Sequence, residues 1–246
     1  PLFFVGFGLV AGFIPPPSPG ESATQVAQRY AEDRDRIRTG LFITAFASTL
    51  LVPAFAVFTI QMRRIEGRVS PLAWVQMGMG SLLVLVFILP LMTFEVAAFR
   101  ADRSPEILQA LNDLAWIPFV AVVWTVWMQT ITIAIAILRD RREVPVYPRW
   151  LGYLNLWAAA GVTPGAFIVF FKDGPLAWNG ILGWWCIVIV FFIWLVAMTW
   201  ASFRAIDAQV AEEREHPDPG DLADRVTWLM HEVSTLKADL ARMAAR

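Results

Sequence analysis

The run Pro71–Phe99, PLAWVQMGMGSLLVLVFILPLMTFEVAAF, contains one ionisable side chain, Glu95. A helix that crosses a bilayer needs about 20 consecutive apolar residues. This run exceeds that length and reads as a transmembrane helix. Four more runs of the same kind flank it: Thr39–Gln61, Leu114–Leu138, Trp150–Phe171 and Trp178–Phe203. The opening run, Pro1–Ile14, is apolar but covers only about 21 Å at 1.5 Å per residue. It reads as the end of a first helix that starts before the numbered chain. The expectation is an all-α, polytopic transmembrane bundle of six helices, the first one truncated. Membrane β-strands are about ten residues long and alternate strictly; these runs are longer and uniformly apolar. Short connections make neighbouring helices antiparallel.

Composition agrees. Of the 246 residues, 57% are hydrophobic and 17% charged, where a soluble domain has about a quarter charged. The net charge of −1 offers no basic footprint for nucleic acid. Lys172 and Lys237 are the only lysines beside many arginines, a bias of GC-rich bacterial coding such as that of actinobacteria. Cys186 stands alone, so no internal disulfide can form.

Loop arginines set the orientation. Arg63, Arg64 and Arg68 follow the second helix, and Arg139, Arg141, Arg142 and Arg149 follow the fourth. These two loops are expected in the cytoplasm of a bacterial inner membrane, with both termini on the same side. Residues 15–38, 100–113 and 172–177 then face outward. Pro15 to Gly20 break the chain after the first helix. Residues 21–38 read as a surface helix, with Ala23, Val26, Ala27 and Tyr30 at three- and four-residue spacing.

The bundle is expected to run to residue 215, continuing the last helix through Arg204 and Asp207. His216-Pro217-Asp218-Pro219-Gly220 then forms a linker over 216–221, and 222–246 is a separate helix. Leu222, Val226, Leu229, Val233, Leu236, Leu240 and Met243 alternate at spacings of four and three. That is the 3.5-residue period of a coiled coil. Valine at two a positions and leucine at three d positions lean toward a parallel dimer. Glu232 at g can meet Lys237 at the following e of a second chain. The alternative is an amphipathic helix on the bilayer, which the balanced charges disfavour.

Within the spans, Glu95 and Asp113 are candidates for binding a proton or cation, while Gln76, Gln129 and Asn155 are polar residues within the spans or nearer the inner side. Interfacial pairing is the simpler reading. Glu95 lies one turn from Arg100, and Asp113, with Asn112, opens the fourth helix, where the dipole favours an acid. Of the twelve tryptophans, Trp74, Trp116, Trp150, Trp178 and Trp200 are placed as an aromatic belt. Trp124, Trp127, Trp157 and Trp194 lie deeper and offer walls for an apolar slot, for a lipid, sterol or quinone. Packing between helices explains them more simply. Gly8–Gly12 and Gly161–Gly165 fit the small-xxx-small spacing of close helix contacts, and Thr163-Pro164-Gly165 marks a kink.

The absences narrow the chemistry. His216 and His231 are the only histidines, both in the tail, so no intramembrane pair can bind haem or a diiron centre. No span carries a lysine, and no G-x-S-x-G, H-E-x-x-H or Walker A motif occurs. No metal site, cofactor or catalytic residue is expected, although a bound lipid or other apolar molecule is compatible with the chain.

Tyr147-Pro148-Arg149-Trp150-Leu151-Gly152-Tyr153, with Ile14-Pro15-Pro16-Pro17-Ser18-Pro19, resembles loop-to-helix boundaries of uncharacterised multi-helix membrane proteins of actinobacteria. The resemblance implies a multi-pass fold and transfers no functional residue. The leading expectation is a non-catalytic membrane subunit or scaffold. Its tail would form a homo-oligomer or dock a coiled-coil partner. The runner-up is a homo-oligomeric transporter or channel for a small apolar molecule. An intramembrane enzyme using Glu95 and Asp113 stands third.

Overall fold

The computed structural model describes residues 2–215 and 222–244. The described residues are helical throughout their regular structure, with no strands among them. Five helical segments are long and apolar enough to cross a membrane: Arg34–Glu66, Pro71–Phe99, Pro105–Arg139, Arg149–Phe170 and Ile181–Arg214. The chain forms two compact units, Pro1–Phe203 and Arg204–Arg246. The linker expected at 216–221 lies outside the described residues.

The first unit opens with α1 (Leu2–Phe4) and a wider π-turn, Val5–Val10. Together they rise about 14 Å, half a hydrocarbon core. α2 (Ala23–Glu32) and α3 (Arg34–Thr49) follow. The surface helix is therefore shorter than the 21–38 expected. It stops at Asp33, and Arg34–Arg38 begin the first long span instead. Its start was legible. Ser22 caps Gln25 while the Gln25 side chain accepts from the Ser22 N–H, a reciprocal capping box. Val26 and Tyr30 are buried, in the face that packs on α6 (Pro105–Ala121).

α4 (Leu51–Glu66) completes the first span after a break at Leu50. α5 (Pro71–Phe99) sits at the centre, packed against α3, α4, α6 and α7 (Trp124–Arg139). Glu66 starts α5 by accepting from the backbone N–H groups of Leu72 and Ala73 at 3.1 and 2.8 Å. Those donors would otherwise be orphaned in the first turn. At the far end, Arg34 donates to the Phe99 carbonyl at 3.0 Å and Arg103 to the Val96 carbonyl at 3.1 Å. Cations thus sit on the negative end of the dipole.

α6 starts at Pro105, not near residue 114. Ser104, Pro105 and Glu106 are a start signal that hydropathy alone passes over. α8 (Arg149–Val162) tightens into a 3₁₀ segment, Thr163–Phe170, at Thr163-Pro164-Gly165. The last span begins with a π-turn, Ile181–Cys186, and continues as α9 (Ile187–Glu215). α10 (Leu222–Ala244) is the tail helix.

Intramembrane hydroxyls are turned back onto their own helices. Thr44 donates to Gly40 O, Ser48 to Thr44 O, Thr59 to Phe55 O, Thr93 to Leu89 O and Thr163 to Ala159 O, all within 3.0 Å. Such back-bonding hides a polar group where no water can reach it.

The tightest backbone approach is between the opening segment and α3. A Cβ added at Gly40 would stand 2.4 Å from both Gly6 O and Ala11 N, and one at Gly6 would meet Gly40 O at 2.7 Å. This close contact uses Gly6 and Gly40 rather than the expected Gly8–Gly12 pair. Gly12 instead takes a positive φ of 73° in the turn that follows. Gly161 and Gly165 do lie against neighbours, with added Cβ atoms 2.8 Å from Val190 and 2.5 Å from Ile187.

Gly40→Ala should therefore lower stability by about 2 kcal/mol or more, because backbone cannot move aside as a side chain can. Gly78→Ala is the control, since nothing lies within 4 Å of its added Cβ. It should match or slightly exceed the parent. Thermal midpoints in mild detergent check both. Equal midpoints for Gly40→Ala and the parent would refute the close approach.

Candidate functional site

The first unit holds an apolar cavity of about 630 Å³. That volume falls within the range that holds a small-molecule ligand. Its wall is drawn from the places where spanning helices are interrupted. Leu50 and Leu51 lie at the α3–α4 break, Val122 and Val123 at the α6–α7 break, Val162 at the 3₁₀ transition, and Ile187 where the π-turn becomes α9. Phe87, Phe119, Trp184 and Phe191 add aromatic surface. Val86, four residues before Pro90, also lines it. Proline at that offset deprives the Val86 carbonyl of its helical donor. Thr199 is the only lining residue with a side-chain hydroxyl, and no charged residue lines the cavity. Irregular backbone at membrane depth is tolerated where it is buried in protein or lines a cavity.

An aromatic cluster shares Phe119 and Trp184 with the cavity wall. Trp116 is fully buried, with ring centroids 5.2 Å from Phe94, 5.6 Å from Phe13 and 5.7 Å from Trp184. Trp178 stacks on it at 6.2 Å, the planes 14° apart, and donates its indole N–H to Pro17 O at 2.8 Å. Trp116 and Trp178 are therefore core residues and not members of an interfacial belt. Trp74, Trp150 and Trp200 are about half exposed, as a belt requires.

The four deep tryptophans do not converge. Trp124 and Trp157 are exposed on the bundle surface, and Trp127 is half-buried against Trp124. Trp194 is fully buried elsewhere, bonded through its indole N–H to Asn155 Oδ1 at 2.8 Å. None of the four lines the cavity. Val123, just before α7, and Val126 within it line the cavity, and Trp124 does not. The hydropathy of a run carries no information on which face meets lipid.

The two ionisable candidates are likewise apart in role. Glu95 faces Arg38 at 4.0 Å rather than Arg100, and the Arg38 guanidinium lies 5.8 Å over the Phe99 ring. Asp113 sits two turns inside α6, because that helix begins at Pro105, and so has no helix N-terminus to favour it. Its neighbour Asn112 accepts from the Tyr30 hydroxyl at 3.3 Å. Burial raises the Tyr30 phenol well above its ordinary value, with Arg29 opposing and Asp113 adding to the shift. Tyr30 is thus a neutral donor that pins α2 to α6. The sequence placed Gln76 and Gln129 within the spans but not their neighbours, and both amides are fully buried on the other half of the bundle. Gln76 accepts from Thr59 at 2.6 Å, and Gln129 reaches within 2.8 Å of a Cβ added at Gly80, one turn further along α5.

The loop between α7 and α8 is held by one carboxylate. Asp140 accepts from the Arg142 backbone and side chain at 3.1 and 3.1 Å, and from the Val146 N–H at 3.0 Å. Burial pushes its pKa up, but these hydrogen bonds and the guanidinium charge outweigh burial and hold it below the usual range. Tyr147 beside it is buried against Ser202 at 2.9 Å. Its phenol is raised to about 12 by burial, against the opposing Ser202 bond and Arg64 charge.

No group of three or more metal-binding side chains occurs among the described residues. No known protein family, curated protein or solved structure matches this chain.

A depressed folded-state pKa stabilises above the unfolded value and loses that contribution as pH falls through the folded value. Asp140→Asn should therefore lower the thermal midpoint near neutral pH. The gap from the parent should shrink as pH drops below the ordinary carboxylate range. Midpoints measured across that interval check it, and a gap independent of pH would refute the assignment.

Proposed function

We propose that this protein is a non-catalytic subunit or scaffold of a bacterial cytoplasmic membrane that self-associates through α10. The observation that carries the reading is the exposed heptad seam. Leu229, Val233, Leu236, Leu240 and Met243 are each at least half exposed in the second unit, and Val226 nearly so. Six apolar side chains on one stripe of a water-facing helix favour a partner surface. The preferred occupant is a second copy, with Glu232 and Lys237 pairing across a parallel seam. Three heptads are marginal alone in water, and membrane attachment raises their effective concentration. In this reading Leu2–Val10 serves as a sixth membrane element beside the five long spans. Membrane lipids are the remaining partners, and no cofactor is required.

A second reading, carriage of a small apolar molecule, is favoured by the cavity at the helix breaks. Transporters commonly place ligands beside discontinuous helices. Lipid extraction from the purified protein, compared with a Val123→Trp variant that fills the wall, separates the readings. An isoprenoid or acyl lipid lost on substitution supports carriage. A polypeptide helix seated in the cavity excludes it.

Leu229→Asp combined with Leu236→Asp places charges in the seam. Native mass measurement in mild detergent should then shift to smaller species. An unchanged oligomer would remove the tail from the assembly.

The Arg63–Arg68 and Arg139–Arg149 loops give a further expectation. With these loops in the cytoplasm, cysteines at Gly67 and Glu143 in a Cys186→Ser background should resist an impermeant thiol reagent in intact cells. A cysteine at Ser104 should react. The reverse pattern would invert the topology.

A further inference from the structure

The turn between α4 and α5 carries a second, charged concavity of about 350 Å³, lined by Ile60, Arg63, Arg64, Gly67 and Arg68. Three of its five lining residues are arginines, of which Arg64 donates to Gln61 at 2.9 Å. The one carboxylate in the turn, Glu66, is committed to the N–H groups of Leu72 and Ala73. Among the described residues neither Arg63 nor Arg68 forms an ion pair with a carboxylate. Arg63 instead lies 5.5 Å over the Trp74 ring, which leaves its charge available to an anion. The turn is rigidly set. Gly67 has a φ of 79°, and Ser70 is left-handed at 44° with its hydroxyl donating to Gly67 O.

The border of this concavity carries exposed apolar side chains. Ile60, on the wall, and Trp74, beside it, are each more than half exposed on the spanning helices. Arginines above and an exposed aliphatic and indole surface below match the two halves of a phospholipid. A free anion would use only the upper half. We propose that this turn is a binding site for an anionic glycerophospholipid, its phosphate held by Arg63 and Arg68 and its acyl chain laid along Ile60 and Trp74. Arginine forks suit phosphate oxygens bidentately, and basic clusters at the cytoplasmic edge of spans attract anionic lipid.

The test uses the full chain reconstituted in phosphatidylcholine vesicles with and without phosphatidylglycerol. Native mass spectrometry then counts the lipids retained on detergent release. The parent should keep phosphatidylglycerol in preference to phosphatidylcholine. Arg63→Gln with Arg68→Gln should lower that retention about tenfold or more, since each basic residue near an anionic surface is worth about a factor of five. Its thermal midpoint in phosphatidylcholine alone should match the parent, which separates lost binding from lost folding. The control is Arg141→Gln with Arg149→Gln, which removes equal charge from the loop between α7 and α8 and should retain the lipid. Equal loss in both variants would assign the effect to summed charge and overturn the site. Release of the lipid by millimolar inorganic phosphate would reduce it to a free-anion site and overturn the lipid assignment.

Discussion

A bilayer supplies no hydrogen bonds, so every interruption of a spanning helix must be settled inside the protein. This chain interrupts its spans repeatedly, at Leu50, at Val122–Val123, at Thr163 and across Ile181–Cys186. The interruptions do not scatter. Leu50, Val122, Val123, Val162 and Ile187 share one cavity wall. Some displaced backbone groups find close local partners. Leu50 N–H bonds Ala47 O, Val123 N–H bonds Ala121 O, and Thr49 and Thr163 hydroxyls take the carbonyls of Phe46 and Ala159. The same few residues thus break the helices, satisfy the breaks and shape the apolar space between them.

The two ends of the bundle are closed differently. On the face carrying α2, buried aromatic and neutral contacts, Tyr30 on Asn112, Trp178 on Pro17 and Trp116 among phenylalanines, stand beside the Arg29–Glu21 and Arg38–Glu95 ion pairs. On the opposite face the closure is ionic: Glu66 starts α5, and Asp140 ties its own loop. Buried aromatic rings in contact contribute beyond their area, while a carboxylate that accepts several N–H bonds is held charged. Asp140 is such a carboxylate, held below its usual range, so its hold on the loop weakens in acid.

The sequence made the spans legible because length and apolarity alone decide whether a helix can cross a membrane. Proline and glycine at 163–165 marked their break for the same local reason. The tail was legible as a helix because its apolar residues recur at spacings of three and four. Other features depended on facing, which hydropathy does not encode. Trp116 looked interfacial by position and is the centre of the core. Trp124 looked internal by depth and faces outward. The start of α6 at Pro105 was written in Ser104-Pro105-Glu106, but the apolar run that begins near Leu114 masked it. Asp113 was misread as a helix opener in consequence.

Gln76 and Gln129 show how a residue can be placed within a span by sequence while its packing partners are not. Neither residue is charged, so a reading from sequence weighs them below Glu95 and Asp113. Yet both are fully buried. Gln76 is anchored by Thr59, and Gln129 lies against the bare backbone of Gly80. Glycine at 80 is what allows it, since a Cβ there would stand 2.6 Å from Phe55 and 2.8 Å from Gln129 Nε2. A small residue on α5 thus admits an aromatic ring from α4 and an amide from α7 at one level. The packing that joins three spans is set by an absent side chain, and no periodicity of the present ones could announce it.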